Sequence, residues 1–469
     1  MTETIAETSG ESRTPGSDTP SGNRPEAGPK RLGHSYFKLL SASTISNLGD
    51  GIAIIAYPWL ASAITRNPLL ISLVIVVQRL PWLVFSLPAG VITDRYDRRT
   101  LMVISNTVRA ALTLLVAFAV LGKQGGLPGP DQISDAATVI TTDTGLYILI
   151  LVATLLLGVA EVLYDNSAQT FMPSIVHPGN LEKANGRLWS SEMVANTLVG
   201  PPFGALLIAL AFALPFFVDA ATFGVSAALI VLIPKCSRAT GTSVDTEVPD
   251  RKPWRTELTD GFRWLWGHNL LRPMAIILGL LNMLATMTTA TIVLFSQEVL
   301  DTTPTEFAIM GTGGAIGGIV GGWTASGISK RIGSGPSLWL TLIVGGATTF
   351  AIGLMNWWPP VWLMMGIFML VAVLWNVITV SLRQTIIPDT LLGRVNSVYR
   401  FFAWGMMPVG AVLGGLIVSA TDNFTSREMA LRMPWFVAGT LHLALFAFAA
   451  PKLTTKKIEA ARTEATQAH

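Results

Sequence analysis

Charged residues are scarce in this 469-residue sequence, making up 13% of it, against ~25% in a typical soluble domain. So low a share excludes a soluble globular enzyme, a disordered protein and a coiled coil. The formal net charge of +3 is too small to indicate a nucleic-acid partner. Cys236 is the only cysteine, which excludes an internal disulfide and a thiolate metal site, and we expect no bound metal.

Several enzyme motifs are also missing from the sequence. It contains no G-x-S-x-G nucleophile elbow and no H-E-x-x-H zinc motif. It also lacks the G-x-x-x-x-G-K-[ST] loop that cradles nucleotide phosphates, which argues against an ATP-driven pump within this chain. We therefore predict a protein that is not an enzyme and needs no cofactor.

Apolar residues, in contrast, are abundant and occur in long runs. They make up 51% of the sequence, and the 43 glycines come on top of that share. A membrane-spanning helix needs about 20 mostly apolar residues, and twelve segments meet this requirement. They cover approximately residues 36–64, 68–93, 100–122, 144–168, 185–212, 213–235, 270–299, 303–327, 334–356, 358–382, 393–420 and 430–451. The sequence therefore predicts an all-α membrane protein with twelve transmembrane helices and excludes the short alternating strands of a β-barrel.

The distribution of positive charge predicts the orientation of these helices, because Lys and Arg concentrate in cytoplasmic loops. With the N-terminus inside, the inside loops carry most of the basic residues, including those of 95–99. The outside loops then hold only Arg66, Lys123, Arg427 and Arg432. We predict a multi-pass protein of the cell membrane with both termini cytoplasmic, as an even number of helices requires.

An internal repeat divides the chain. Residues 169–173 read QTFMP, and residues 384–388 read QTIIP, 215 positions later. The repeat predicts two pseudo-symmetric halves of six helices each, an architecture of transporters in which the substrate site lies between the halves near the midplane.

This repeat sets the predicted domain boundaries. They are a disordered cytoplasmic tail at 1–34, an N-terminal half at 35–235, a cytoplasmic linker at 236–269, a C-terminal half at 270–451 and a cytoplasmic tail at 452–469. The first tail is rich in Pro, Gly, Ser and Thr and cannot bury enough apolar surface to become ordered. Within the linker, Trp254, Leu258, Phe262 and Leu265 recur at helical spacing. That spacing fits either a helix on the inner membrane surface or a packed cytoplasmic turn.

The loop between the second and third predicted helices, residues 90–99, reads GVITDRYDRR. It resembles motif A of the major facilitator superfamily, G-x-x-x-D-R-x-G-R-R, with Asp97 where the general motif has Gly. The stretches NLGD at 47–50, RLP at 79–81 and GFRWL at 261–265 add to the likeness. Together they resemble the branch of that superfamily that includes the macrolide efflux proteins and the enterobactin exporter.

The resemblance implies a role for this loop in gating. In the superfamily, the motif A turn forms a charge latch that holds the two halves together in the outward-open state. The residues that would form the latch here are Gly90, Asp94, Arg95, Arg98 and Arg99. Asp165, about one turn from the inner end of the fourth helix, is expected to pair with Arg98 or Arg99. The arginines also help to set the orientation of the helices, because Lys and Arg concentrate in cytoplasmic loops.

Residues 200–204, GPPFG, resemble the core of motif C, the antiporter signature of the superfamily. Only the core matches, because the upstream glycines of that motif are absent. Pro201 and Pro202 remove backbone donors inside a membrane helix and permit a kink. Gly200 and Gly204 are one turn apart and permit close helix packing. The stretch fits either a packing kink or a bias of transport towards exchange.

Six glycines of the eighth predicted helix fall on two adjacent stripes at a spacing of four, which predicts a packing surface. They are Gly313, Gly317 and Gly321 on one stripe and Gly314, Gly318 and Gly322 on the next. A close, smooth contact of this kind suits helices that slide against each other.

Charged residues inside the predicted helices are candidates for the transport site, because each costs about 2.5–3.5 kcal/mol at the bilayer centre. They are Asp50, Arg79, Arg109, Glu161, Asp165, Glu192 and Asp219. Two interpretations are open. Asp50 forms a purely structural ion pair with Arg79 or Arg109, or one carboxylate takes up and releases protons.

We rank Asp50 first as the proton carrier, followed by Glu192 and Glu161, because the resemblance implies that the first helix lines the cavity. Arg109 and Asp219 rank lower, since the third and sixth helices of the superfamily usually sit outside it. Polar and aromatic residues that either line the cavity or pack in the core are Asn47, Asn282, Trp375 and Asn376.

These observations predict a secondary active transporter, a monomer in the lipid bilayer that binds small molecules and is energised by a proton gradient. The favoured function is proton-coupled efflux of amphipathic small molecules or drugs by alternating access. The alternative is export of an endogenous metabolite such as a siderophore. Uptake and a non-transporting assembly role are further alternatives, and the substrate itself is not predicted.

Overall fold

The computed structural model describes residues 32–123, 125–129, 133, 142–177, 180–234 and 254–468. The side chain of Asp94, most of the predicted tail at 1–34 and residues 235–253 of the linker lie outside this description. The described part consists of seventeen α-helices and one π-helical segment, joined by loops and turns. The prediction of an all-α protein is therefore confirmed.

Eight α-helices and the π-helical segment precede the linker and form the N-terminal half. They are α1 (His34–Ile64), α2 (Pro68–Val84), α3 (Ser86–Arg95), α4 (Arg98–Lys123), α5 (Thr144–Ile175), α6 (Leu181–Met193), the π-helical segment Val194–Val199, α7 (Gly200–Leu210) and α8 (Leu214–Val231). We call the end of the bundle where α1 begins the N-terminal face, and the end where α1 stops the distal face.

The linker helix and eight further helices follow. They are α9 (Trp254–Gly267), α10 (Leu271–Thr289), α11 (Ile292–Glu298), α12 (Pro304–Ile332), α13 (Ser334–Gly353), α14 (Trp358–Ile386), α15 (Asp389–Thr421), α16 (Arg427–Ala449) and α17 (Thr455–Ala468). Helices α10 to α16 form the C-terminal half. The predicted cytoplasmic tail thus contains a helix, α17, which buries Ile458 against the bundle.

Ten segments within the described residues are long and apolar enough to span a membrane. The other two predicted spans are helical as well. Segment 303–327 forms α12, whose many glycines make it less apolar. The sequence predicted one continuous helix over 68–93, but the structure breaks this segment at Phe85 into α2 and α3. Pro88 has no N–H to donate to the carbonyl of Val84, which interrupts the helix at this place.

One hydrophobic core joins the two halves near the distal face. It brings together Trp59 of α1 and Phe307 of α12, whose rings lie 6.3 Å apart. Two other cores lie nearer the N-terminal face, and each belongs to one half. The first includes Met102 of α4, and the second includes Leu374 of α14. The two halves therefore share one hydrophobic core at the distal face, and each half has its own core towards the N-terminal face.

Helix α9 packs on α15, close to the N-terminal face. A Cβ on Gly261 would lie 2.8 Å from the backbone carbonyl carbon of Arg394, so the two helices touch through their backbones. Leu265 is buried, whereas Phe262 and Trp266 are exposed and stack on each other with ring centres 5.1 Å apart. Residues 254–267 of the linker are thus helical and anchored to the C-terminal half, with Phe262 and Trp266 on their exposed side.

Candidate functional site

An ion pair lies in the interior of the N-terminal half. Asp50 is near the middle of α1, about 24 Å along the helix from His34 at ~1.5 Å per residue. Nη2 of Arg109, in α4, donates to Oδ1 of Asp50, and its Nη1 lies 3.4 Å from the hydroxyl of Ser46. The guanidinium also lies 3.9 Å from the ring centre of Phe223 in α8. Arg109 therefore ties α1, α4 and α8 together.

The two partners differ in their exposure. The side chain of Arg109 is 3% exposed, whereas that of Asp50 is 25% exposed. Removing one partner of a buried ion pair costs about 3–5 kcal/mol, because the other charge is left uncompensated. The pair is therefore important for folding, and its carboxylate is the more exposed of the two partners. The sequence left the partner of Asp50 open between Arg79 and Arg109, and the structure pairs it with Arg109.

Further carboxylates surround this ion pair. Glu161 and Asp165 lie one turn apart on α5, are half-buried, and are within electrostatic range of Arg109. Glu192 of α6 is exposed and within electrostatic range of Asp50. Arg79 is exposed on α2 and within range of Glu161. The structure thus brings the ranked acids of three helices into one region of the N-terminal half.

The predicted pairing of Asp165 with Arg98 or Arg99 is wrong. Nη1 of Arg98 donates instead to the carbonyl of Thr170 in the last turns of α5, at 2.7 Å. Nε of Arg99 donates to the carbonyl of Ile230 at the end of α8, at 3.2 Å. The last carbonyls of a helix have no partner within it, and they attract basic side chains. Arg99 therefore caps α8 at the N-terminal face, whereas Arg98 binds a carbonyl within α5, and Asp165 lies within electrostatic range of Arg109.

The rest of the motif A loop is partly open. Arg95 is exposed, and a Cβ on Gly90 would meet nothing within 4 Å. Asp97, the residue that departs from the general motif, accepts hydrogen bonds from the backbone N–H of Thr100 at 2.9 Å and from its hydroxyl at 2.6 Å. This is the geometry of a helix N-cap. Asp97 therefore stabilises the start of α4, which explains why an acidic residue fits at this place.

Motif C brings the backbones of α1 and α7 into contact. A Cβ on Gly200 would lie 2.6 Å from the Cα of Gly51, and one on Gly204 would lie 2.8 Å from the carbonyl oxygen of Ile52. Pro201 and the proline after it cannot donate to the carbonyls one turn earlier, and the preceding segment is π-helical. The contact follows Asp50 directly in α1, so motif C fixes the position of the helix that carries this carboxylate.

The predicted cavity residues have different surroundings. Nδ2 of Asn47 donates to the carbonyl of Ser43 in its own helix, and Asn376 is exposed on α14. Nδ2 of Asn282 donates to the carbonyl of Ala403 at 2.9 Å and joins α10 to α15. Trp375 is 3% exposed within the core of the C-terminal half, so it does not line an open space in this conformation.

A charge network at the distal face was missed by the sequence reasoning. Nη1 of Arg66 lies 2.7 Å from Oε1 of Gln297 and 3.4 Å from Oε1 of Glu298. Nε of Arg427 lies 2.9 Å from Oε2 of Glu298, and its Nη2 donates to the carbonyl of Arg66. Nε2 of Gln297 donates to the hydroxyl of Ser62 in α1. The sequence showed the two arginines only as charges of outside loops, because nothing in it placed the loops of the two halves together.

We refer to Arg66, Gln297, Glu298 and Arg427 as the distal charge network. The polar contacts of this network, with Ser62 beneath it, join the two halves at the distal face. The network covers the shared hydrophobic core of Trp59 and Phe307. The distal face is therefore closed by a layer of charges over a layer of apolar side chains.

The sequence of this chain matches the profile of a known protein family. The family profile described as "Major Facilitator Superfamily" matches residues 39–411. The chain belongs to the major facilitator superfamily. It is a multi-pass membrane protein and a secondary transporter of small molecules rather than an enzyme, as the sequence predicted.

Relatives with assigned functions are distant. The chain is 25% identical over 417 residues to "Multidrug efflux pump Tap" of Mycolicibacterium fortuitum, covering 87% of this chain and 94% of that protein. It is 24% identical over 419 residues to the pump of the same name from Mycobacterium tuberculosis, covering 87% and 93%. A 73-residue stretch is 40% identical to the uncharacterized transporter YfiS of Bacillus subtilis, or 15% of this chain and 18% of that one.

Solved structures share the fold at low sequence identity. A mutant of the nucleoside transporter NupG superposes with a TM-score of 0.68 at 11% identity, over 90% of this chain and 100% of that one. A bacterial homologue of the human lysosomal transporter Spinster, in an inward-facing and unoccupied conformation, gives 0.66 at 12% identity, over 92% and 96%. The chain therefore shares the fold of these two transporters.

Proposed function

We propose that this transporter exports amphipathic small molecules across the cell membrane in exchange for protons, by alternating access. The observation that carries the proposal is the ion pair of Asp50 with Arg109, in which a buried cation holds an accessible carboxylate near the middle of α1. The names of the Tap relatives, multidrug efflux pumps, support the direction of transport.

Sidedness follows from the loop charges. With both termini cytoplasmic, the N-terminal face is the inner one and the distal face the outer one. Arg99 and Lys38 bind carbonyls at the end of α8, Arg98 binds one within α5, and all three add to the positive charge of the N-terminal face. In this conformation the distal charge network closes the outer side, whereas towards the inner side the two halves have separate cores. This is the state that would take up a substrate from the cytoplasm or the inner leaflet.

Competition between proton and substrate would couple the two movements. A proton on Asp50 removes the charge that Arg109 holds and so weakens the tie between α1 and α4. Substrate in the space between the halves favours the ionised, paired form of Asp50. By linkage, each ligand then lowers the affinity for the other. Proton entry from outside would release substrate there, and substrate entry from inside would release the proton.

The motif A loop would latch the opposite state. When the inner side closes, Gly90 permits a close approach, and Asp94 and Arg95 pair with groups of the C-terminal half. We expect Asp94→Asn to impair transport in a protein that still folds and inserts. Asp97→Asn is the matched control, because it removes the same charge from the same loop while Asn keeps the N-cap of α4. Normal transport by Asp94→Asn would refute the latch.

Inside-out vesicles with an acidic interior provide the test of the proposed function. Macrolides, lipophilic cations, tetracyclines and siderophores are added one at a time, and collapse of the pH gradient is followed by fluorescence. We expect collapse with at least one class, dependent on the transporter and lost in Asp50→Asn. A siderophore as the active compound would select the alternative of metabolite export.

A matched control keeps this test specific. Asp301 has a positive φ of 51°, a conformation that Asn adopts readily, so Asp301→Asn makes the same change outside the membrane without strain. We expect this variant to transport like the wild type. Collapse of the gradient by Asp50→Asn at the rate of the wild type and of Asp301→Asn would refute Asp50 as the coupling acid.

A further inference from the structure

Helix α9 carries aromatic side chains on its exposed side. Leu265 is buried in the core of the C-terminal half, whereas Phe262 and Trp266, one turn apart, are each 43% exposed. Their rings are stacked, with centres 5.1 Å apart and planes 16° apart. Trp266 also stacks on Phe402 of α15, at 6.4 Å and 22°. The three rings therefore form one continuous apolar surface that begins on α9 and ends on α15.

The depth of this surface follows from the charges of α15. Residues 401–421 include no charged residue and are flanked by Arg400 and Asp422. At ~1.5 Å per residue they extend over ~31 Å, close to the ~30 Å thickness of the hydrocarbon layer of a bilayer. Phe402 therefore lies at the boundary of that layer at the N-terminal face, and Trp266, stacked on it, lies at the same depth. Tryptophan is enriched at this boundary in membrane proteins.

Basic side chains accompany the rings. Arg263 of α9 is exposed. Arg272, in the first turn of α10, is also exposed, and its Nη1 donates to the carbonyl of Trp266 at 3.1 Å. Asp260 of α9 carries the opposite charge, but it pairs with Nη1 of Arg394 in α15 at 3.9 Å. The exposed side of α9 therefore combines apolar rings with two exposed guanidinium groups.

Lipid is the partner that fits this surface. A packed cytoplasmic turn, one of the two interpretations of the linker spacing, would bury its aromatic rings, whereas Phe262 and Trp266 are exposed. Phe402 contacts the ring of Phe401 edge to face at 6.1 Å, and Phe401 is 62% exposed within the membrane-spanning part of α15. The surface thus continues into one that faces the acyl chains. Guanidinium groups bind phosphate through two parallel hydrogen bonds, and anionic lipids attract basic residues near the cytoplasmic surface.

We propose that the exposed side of α9 lies in the membrane leaflet at the N-terminal face, where Arg263 and Arg272 bind the phosphate groups of anionic phospholipids. The rings of Phe262 and Trp266 enter the boundary between headgroups and acyl chains. Because Gly261 brings the backbones of α9 and α15 into contact, this interaction fixes the depth of the C-terminal half in the membrane. The inference goes beyond the proposed function and depends neither on the coupling ion nor on the transported molecule.

A fluorophore next to the rings tests the first part of the proposal. Gly267 is exposed, and a Cβ on it would meet nothing within 4 Å, so Gly267→Cys in a Cys236→Ser background leaves both rings and both arginines intact. The labelled full-length protein is placed in nanodiscs, one copy per disc. We expect a lipid with a nitroxide near the headgroup to quench this fluorophore about threefold more than one at Lys456→Cys, an exposed position of α17. Iodide in solution should show the reverse order.

The choice of lipid tests the second part. Phosphatidylglycerol or phosphatidylcholine, each with the same nitroxide on the acyl chain, is titrated into phosphatidylcholine discs. We expect half-maximal quenching at a roughly fivefold lower fraction of the phosphatidylglycerol, and at equal fractions in Arg263→Gln combined with Arg272→Gln. Lys330→Gln combined with Arg331→Gln is the matched control. It removes two exposed positive charges elsewhere at the same face and should keep the preference.

Three results would overturn the inference. The first is a fluorophore at position 267 that iodide, and not the lipid nitroxide, quenches as it does at position 456. The second is protection from both quenchers, which would show that protein covers the surface. The third is quenching by both lipids at equal fractions, or a preference that survives the loss of both arginines. None of these readouts uses transport, so their failure leaves the proposed function untouched.

Discussion

The distal charge network predicts that Glu298 holds the outer side closed. In Glu298→Gln the carboxylate between Arg427 at 2.9 Å and Arg66 at 3.4 Å becomes neutral while its size is kept. A hydrogen bond to a charged group contributes about 1.5–3 kcal/mol, and a fully exposed ion pair about 0.2–1 kcal/mol. The three side chains are 20–30% exposed, so a net loss of ~1.4 kcal/mol is expected. That loss corresponds to roughly a tenfold shift in the ratio of closed to open molecules.

The single native cysteine makes this shift measurable. Ser62 is fully buried beneath the network, and Ser62→Cys in a Cys236→Ser background places one thiol there. The rate of labelling by a membrane-impermeant maleimide then reports the fraction of molecules open at the distal face. We expect Glu298→Gln to raise this rate roughly tenfold, because labelling follows the open population when opening and closing are fast.

Glu428→Gln is the matched control for this prediction. Glu428 lies at the same face, in α16, and its ion pair with Arg432 at 2.8 Å stays within the C-terminal half. The rate of labelling should not change in this variant. An equal rate in Glu298→Gln and Glu428→Gln would show that the network does not close the distal face, and the gating argument would fail.

Three further predictions concern stability, each measured as the melting temperature of purified protein. Gly317→Ala should destabilise the protein by about 1–3 kcal/mol, because its Cβ would lie 1.9 Å from the carbonyl oxygen of Gly366 in α14. The Cβ of Gly314→Ala would meet nothing within 4 Å, so this variant should not be destabilised. Equal melting temperatures of the two variants would contradict the close packing of α12 on α14. Asp97→Ala should cost about 1 kcal/mol through the lost N-cap of α4, and an unchanged melting temperature would show that the cap contributes nothing. The hydrogen bond from Lys123, together with the N-cap bond from Leu146, lowers the pKa of Asp143. The ionised Asp143 carboxylate therefore stabilises the fold above the unfolded pKa of ~3.9, and this stabilisation is lost as the pH falls through the folded pKa. Asp143→Asn should melt at a lower temperature than the wild type at pH 6 and at the same temperature at pH 2. A difference that persists unchanged at pH 2 would contradict this.

The fold could be predicted from the sequence because the membrane imposes a simple rule on it. Spanning helices need long apolar runs, and twelve runs stand out even where a helix is interrupted, as at Phe85. The break itself follows from Pro88, whose effect on hydrogen bonding is local and visible in the sequence. Contacts between helices were harder to predict. The two glycine stripes of α12 have the same spacing, and only the structure shows that Gly317 touches α14 while Gly314 does not.

The candidate site could be predicted only in part, because its partners come from helices distant in sequence. The cost of burying a charge singled out Asp50, but spacing alone did not distinguish Arg109 from Arg79 as its partner. The structure does not show the predicted pairing of Asp165 with the motif A arginines, because backbone carbonyl groups of α5 and α8, which any sequence provides, bind the guanidinium groups. The distal charge network depends on how the two halves meet, and no local pattern encodes this.

The central claim is that Asp50 exchanges a proton against the transported molecule. The most direct measurement is the number of protons released when a compound that collapses the pH gradient binds to purified protein in weakly buffered solution. We expect release of up to about one proton per molecule bound by the wild type, and binding without release by Asp50→Asn. Equal release by both proteins, or binding to the wild type with no release over the pH range in which it transports, would contradict the account.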